Sequence, residues 1–374
     1  MKPFKRRNKN LKSLFTSEAS LEEEYHHFYR VLVSESGSDV ALGAAVSYFR
    51  RLFTERSEPP SYFSHEMIDV LLSIMEDCDR GVEVRTEAAW AITNLLCSKR
   101  VPLTHLIVQK GPLPLSFRDQ CIWAVGNISA DCSQCKEETA RALLSGVSRA
   151  LRDFPLDSSL LQDSLSTVSS LADDRNFSYF PHAWSPQIDS ILAEPGLIDT
   201  AFRAIDTGPS TLVSPALRLL GNIVTGTDEQ TENVVTRPGF MKLMVKAMYS
   251  ESGQVRREAA WMVSNVAAGP STHVDLITTE TEMLGALLSL LHSSDAKLQK
   301  EVCWVFVNIL SSYNVHSRPD DLEEILGYGV LRIVEFLSAP GTDTRIVNKA
   351  AEVLRIKRPA CEYLLVSYDY YKKK

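Results

Sequence analysis

The chain reads as a succession of apolar stretches with helical spacing, each interrupted by a polar turn, and no strand-like alternation competes with them. One pattern recurs inside the stretches. An aromatic or long side chain is followed four residues later by Asn. EAAWAITNLL holds Trp90 and Asn94, and QCIWAVGNIS holds Trp123 and Asn127. PALRLLGNIV holds Arg218 and Asn222, EAAWMVSNVA holds Trp261 and Asn265, and EVCWVFVNIL holds Trp304 and Asn308. The last three asparagines stand 43 residues apart, whereas Asn127 and Asn222 are separated by 95. That gap leaves room for one degenerate copy, SLSTVSSLAD, with Ser166 and Ser170 at the two marked positions. Small-residue endings such as Ala267–Pro270 and Thr225–Asp228 predict helix stops. Met283–Ser293 and Val330–Pro340 predict amphipathic packing helices between the tetrads. Ser20 and Glu23 form a capping-box pattern that predicts a helix opening at Ser20 and running to Arg30, with His26 and His27 on it as ordinary helix residues.

A period of 43 lies within the ~40–47 residues of helical armadillo and HEAT repeats. The expected fold is therefore all-α, a right-handed armadillo-repeat superhelical solenoid. Residues 17–358 supply about seven to eight repeats, preceded by a basic, flexible arm over 1–16 and followed by a tail over 359–374.

Residues at i and i+4 of a helix lie on one face, so each Trp–Asn pair forms a unit. Both could be core. Yet Ala91, Ile92, Leu95 and Leu96 can fill the core of their helix without either residue, and a buried carboxamide demands partners that a helical stack seldom supplies repeatedly. The ladder is accordingly expected on the concave surface. There a carboxamide offers a donor and an acceptor to an extended peptide backbone. Neighbouring indoles form slots for the stems of Lys or Arg, each cation–π contact being worth roughly 0.5–2 kcal/mol. Carboxylates near the slots would select positive heads.

Charge sharpens this picture. The 374 residues carry a net charge of −7, but the first thirteen hold six Lys/Arg and no Asp/Glu, which leaves −13 on the remainder. So acidic a body is not expected to bind nucleic acid directly, since phosphates demand cationic surface. No apolar run reaches the ~18–20 residues of a membrane span, and the start, MKPFKRRNKNLKS, lacks the apolar core of a secretory signal. Seven cysteines suit a reducing compartment. Cys132 and Cys135 form a lone CxxC without two further ligands, so no metal is expected. P-loop, GxSxG, HExxH and GxGxxG patterns are missing, and neither catalysis nor a cofactor is expected.

Through its five tetrads the chain resembles importin-α (karyopherin-α), the armadillo adaptor that recognises nuclear localisation signals, over roughly residues 60–356. Pro215–Thr231 is similar to the family's sixth repeat, including Arg218 in place of Trp, and Trp123–Asp131 to its third. The resemblance implies two peptide sites. In the major one Trp90, Asn94, Trp123 and Asn127 match, and Asp131 stands where an aspartate pairs with the key lysine. The chain departs there as well: Ser98 replaces a glycine, Thr104 is one residue out of register, and Asn94 and Asn127 are only 33 residues apart. A fourth-repeat pair is absent. In the minor site Trp261, Ser264, Asn265, Trp304 and Asn308 match, joined by Arg218 and Asn222. Val224 and Thr231 stand at a lysine pocket and Glu301 at an arginine pair. Glu258 holds the equivalent place before Trp261 and also reads as a solvated helix-start glutamate. Lys5, Arg6 and Arg7 resemble the autoinhibitory run that folds into the cargo groove, and equally a plain solvated charge run or a localisation signal of this chain. The arm is shorter than the one that binds importin-β in the family, which makes importin-β a conditional partner. The resemblance implies an adaptor for proteins bearing basic nuclear localisation signals, working in cytoplasm and nucleus. The alternative is an armadillo scaffold for cytoskeletal or signalling partners with no import role.

Overall fold

A computed structural model of the chain describes residues 18–34, 38–56, 58–96, 144, 156, 159–173, 184–280, 282–291 and 293–315. Among them are fourteen α-helices and no strand. The chain divides into two compact units, 1–172 with 193–197, and 173–192 with 198–374. The proposed arm over 1–16, the tail over 359–374, the CxxC pair and the helix expected over Val330–Pro340 lie outside the described residues.

In the first unit, α1 (Glu18–Leu32), α2 (Asp39–Glu55), α3 (Glu66–Glu76) and α4 (Val82–Leu96) pack in sequence, and α5 (Ser159–Ala172) follows. Helix α2 begins where the sequence permits a cap: Ser38 Oγ accepts from the Ala41 amide at 3.3 Å, and Asp39 in the first turn complements the helix dipole. α2 and α4 lie side by side, with α3 against α4 and α1 against α2. Their shared core is built from Phe49, Leu52, Met67, Ile68, Leu71, Met75 and Ile92, all buried. Each such side chain withdrawn from water stabilises the unit by about 1.5–3 kcal/mol. Aromatic rings close the α1 side, with Phe28 stacked on Tyr48 at 4.4 Å and Tyr25 edge-on to Phe49 at 5.2 Å. Helix α1 already includes Glu18, two residues before Ser20. Ser20 is therefore a helical residue, not its cap, because the first turn is built from the residues preceding the apparent capping box. α5 carries the degenerate copy: Ser170 Oγ donates to the Ser166 carbonyl at 2.9 Å, so the pair serves its own helix.

The second unit is built from helix triplets. The first comprises α6 (Pro186–Ala193), α7 (Leu197–Thr207) and α8 (Ser210–Ile223). Next come α9 (Asp228–Val235), α10 (Phe240–Met248) and α11 (Gly253–Ala267), then α12 (Ser271–Thr279), α13 (Met283–Leu290) and α14 (Ala296–Val315). Each helix of the third triplet starts 43 residues after its counterpart in the second, the period read from the asparagines. The stops fall where small residues predict them, with Val224 and Ala268 as C-caps of α8 and α11. Thr227 then caps α9 reciprocally with Gln230, which also donates to the Ser185 carbonyl and Asp189 and so ties the triplet to the one before it. Gly239 enters α10 at φ +82°, a left-handed conformation that glycine adopts without penalty. The third helices stack successively, α8 on α11 and α11 on α14. This stacking brings the tetrads of consecutive repeats within reach of one another.

Candidate functional site

The periodic core decides where the tetrads point. On α4, Ala88, Ala89, Ala91, Ile92, Leu95 and Leu96 take the buried positions, and Trp90 and Asn94 are left half-buried at the edge. Trp261, Asn265, Trp304 and Asn308 occupy the same kind of position on α11 and α14. Asn222 differs: it is 1% exposed, enclosed where α8 meets its neighbours. Trp123, Asn127 and Asp131 of the expected major site lie outside the described residues, as do Lys5, Arg6 and Arg7.

The asparagines act first as ties between helices. Asn94 Nδ2 donates to the Arg50 carbonyl at 3.1 Å and to Thr54 Oγ1 at 2.7 Å, both on α2. Asn308 Nδ2 donates to the Ser264 carbonyl of α11 at 3.0 Å. Asn265 Nδ2, by contrast, is buried with no hydrogen-bond partner among the described residues. Asn94 spends both of its N–H donors on α2 and keeps only its oxygen for a peptide, whereas Asn308 spends one and keeps the other, so at Asn94 the ladder offers less backbone pairing than the sequence pattern implies.

A second regularity concerns charge. In two described tetrads the glutamate three before the Trp meets an arginine of an earlier helix. Arg218 directs Nε and Nη2 to Glu258 Oε1 at 3.1 and 2.5 Å, closing the carboxylate three before Trp261. Glu258 thus holds an internal cation and is not merely a solvated helix-start residue. Arg50 of α2 does the same to Glu87, three before Trp90, with Nε to Oε2 at 2.6 Å. Sequence inspection passed over Arg50. The signal was present, since Arg50 and Thr54 precede Trp90 and Asn94 by 40 residues and repeat the i, i+4 spacing.

Glu301, three before Trp304, has no such neighbour, because the matching position on α11 is Trp261. Ser264 Oγ lies 3.5 Å from Glu301 Oε2, and the same hydroxyl donates to the Trp261 carbonyl at 2.8 Å. Burial pushes the Glu301 carboxyl above its ordinary value, only partly opposed by Lys300 and the Ser264 contact. Among the described residues Glu301 makes no ion pair. A desolvated carboxylate one turn from Trp304 on its own helix, in contact with Ser264 of the helix that carries Trp261, can accept a cationic head while an indole holds its stem.

Trp261 itself rests on Gly221 of α8. A Cβ added there would stand 2.3 Å from the indole Cζ3, so only glycine lets the ring lie against the helix. The residues expected at a lysine pocket are enclosed: Val224 is buried, and buried Thr231 donates its hydroxyl to the Val224 carbonyl at 3.4 Å. Among the described residues there is no group of His, Cys, Asp and Glu suited to a metal ion, and no helix is long and apolar enough to cross a membrane.

No family model matches the chain. It is 23% identical over 243 residues to importin subunit alpha-1b of Oryza sativa subsp. japonica, an alignment covering 54% of this chain and 45% of that protein. The chain therefore spans less than half the length of that curated relative. Among solved structures, an engineered protein of the Northeast Structural Genomics Consortium superposes over 91% of both chains with a TM-score of 0.58 at 18% identity. A designed armadillo repeat protein in complex with the peptide (KR)4 aligns over 76% of this chain and 99% of its own, with 18% identity and a TM-score of 0.47. The fold is all-helical armadillo-repeat. In sequence the chain is similar, at low identity and over about half its length, to importin-α.

Proposed function

We propose that the chain is an adaptor that binds extended Lys/Arg-rich peptides, of the kind that act as nuclear localisation signals, chiefly through the helices carrying Trp261 and Trp304. The observation that carries this reading is Glu301, a carboxylate desolvated by burial on the helix of Trp304, with Trp261 where Arg50 and Arg218 bring a guanidinium to the other carboxylates. Likeness to importin-α, at low identity, supports the transport role, shuttling between cytoplasm and nucleus, and makes importin-β a partner to be tested. Trp304→Ala and Glu301→Gln should each weaken binding of a basic peptide by about 1–2 kcal/mol in titration calorimetry, and affinity should fall as salt rises. Salt-independent affinity, or variants that bind as the native chain does, would remove the reading.

A second reading, an armadillo scaffold without a transport role, draws on both N–H donors of the Asn94 carboxamide, and one of Asn308's, being engaged between helices. A chain that binds neither basic peptides nor importin-β in pull-down would favour it.

A further inference from the structure

The first unit contains a tetrad whose slot is already filled. The guanidinium carbon of Arg50 lies over the Trp90 ring, 4.6 Å from its centroid. The same guanidinium donates through Nε to Glu87 Oε2 at 2.6 Å, and Ser47 Oγ donates to that oxygen at 2.6 Å as well. Aromatic face, carboxylate and cation are thus all supplied by the chain. The Arg50 and Glu87 side chains are only 22% and 25% exposed. Directly behind them, Asn94 is fastened to the Arg50 carbonyl and Thr54, so the carboxamide that would hold a peptide backbone is engaged with the helix that delivers the arginine.

We propose that Arg50 is a built-in plug, occupying the Trp90–Glu87 slot as a cationic side chain of a peptide would and closing that tetrad to basic ligands. This deepens the peptide-binding reading by setting where on the ladder recognition is shut off. The physical basis is competition on one surface. A ligand cation needs the indole face that Arg50 covers and the carboxylate oxygen that Arg50 and Ser47 hold. A tethered competitor acts at an effective concentration around the millimolar range, which a weakly held side chain of a free peptide does not displace. The contrast within the chain is direct. The position equivalent to Arg50, one repeat before Trp304, is Trp261, and Glu301 meets the Ser264 hydroxyl there, with Lys300 of its own helix as the nearby cation. Arginine at the tetrad's first position closes the slot of the repeat that follows, whereas tryptophan brings no guanidinium to it.

The test is the full chain with Arg50→Ala, and Arg50→Met to retain the apolar stem, each checked by circular-dichroism melting. The probe is an octapeptide of alternating Lys and Arg, followed by titration calorimetry and Trp emission. Removing the plug should raise affinity about tenfold, and adding Trp90→Ala to the Arg50→Ala chain should abolish that gain. An unchanged or reduced affinity in both folded Arg50 variants overturns the proposal, as does a gain that survives loss of Trp90. Failure of the underlying reading is separately visible: a native chain that binds no basic peptide removes the adaptor role. A Trp90-dependent binding signal in the Arg50→Ala chain would in that case still establish the plug.

Discussion

Gly221→Ala tests how closely consecutive repeats are fitted around the Trp261 slot. Two terms oppose each other. In a helix interior, exchanging Gly for Ala stabilises by roughly 0.5–1 kcal/mol through backbone entropy. Against this, the new Cβ would stand 2.3 Å from Trp261 Cζ3 and 2.9 Å from Cε3. Carbon atoms settle about 3.5–4.0 Å apart, so the indole must retreat by more than ~1 Å. Moving a half-buried ring in a packed seam costs about 1–3 kcal/mol, so the clash exceeds the gain, and a net destabilisation of about 1 kcal/mol is expected in urea unfolding. Trp261 should shift its emission, and basic-peptide affinity should fall with it. With Trp261→Ala already present the sign should reverse, Gly221→Ala then stabilising by the entropic term alone. A rise in stability in the native background, with emission unchanged, would refute the fit of α11 on α8.

Further outcomes follow from the same geometry. Arg218→Met and Glu258→Gln should couple by about 1 kcal/mol in a double-mutant cycle of stability, the value being held down because the pair is only partly buried. Asn308→Ala, which removes the donor to the Ser264 carbonyl, should lower unfolding stability by about 1 kcal/mol. The raised Glu301 carboxyl binds its proton more readily folded than unfolded, so Glu301 loses stability as pH rises through its folded value. Glu301→Gln should therefore stabilise at neutral pH, with the difference vanishing below the ordinary value of 4.5, where the carboxyl is neutral in both states. His273 is 2% exposed and burial lowers its imidazole below the ordinary 6.5, against the pull of Asp228 and Glu232. The unfolded chain then takes the proton first, and stability should fall as pH drops below 6.5. His273→Gln should flatten that limb in acid titration followed by circular dichroism.

Local periodicity determined much of this protein. Spacing of apolar residues gives the helices, the small-residue stops give their ends, and the recurrence of 43 gives the triplets of the second unit, because each follows from residues a few turns apart on one segment. That apolar residues fill the core without Trp90, Trp261 and Trp304 was legible for the same reason, but the sequence pattern implies an exposed ladder and the structure leaves these rings half-buried. Tertiary structure alone decided which tetrads are open. Whether a carboxylate meets Arg50, Arg218 or Trp261 depends on the register between helices some 40 residues apart, and so does the pairing of Asn94 and Asn308 with the preceding helix. Spacing can point to a residue one repeat earlier, as Arg50 lies 40 residues before Trp90, but it carries no record of whether that side chain reaches the carboxylate. Hydrogen bonds and ion pairs act only over the few ångströms that packing creates, and so the repeats could be read along the chain whereas the fate of each slot could be read only across it.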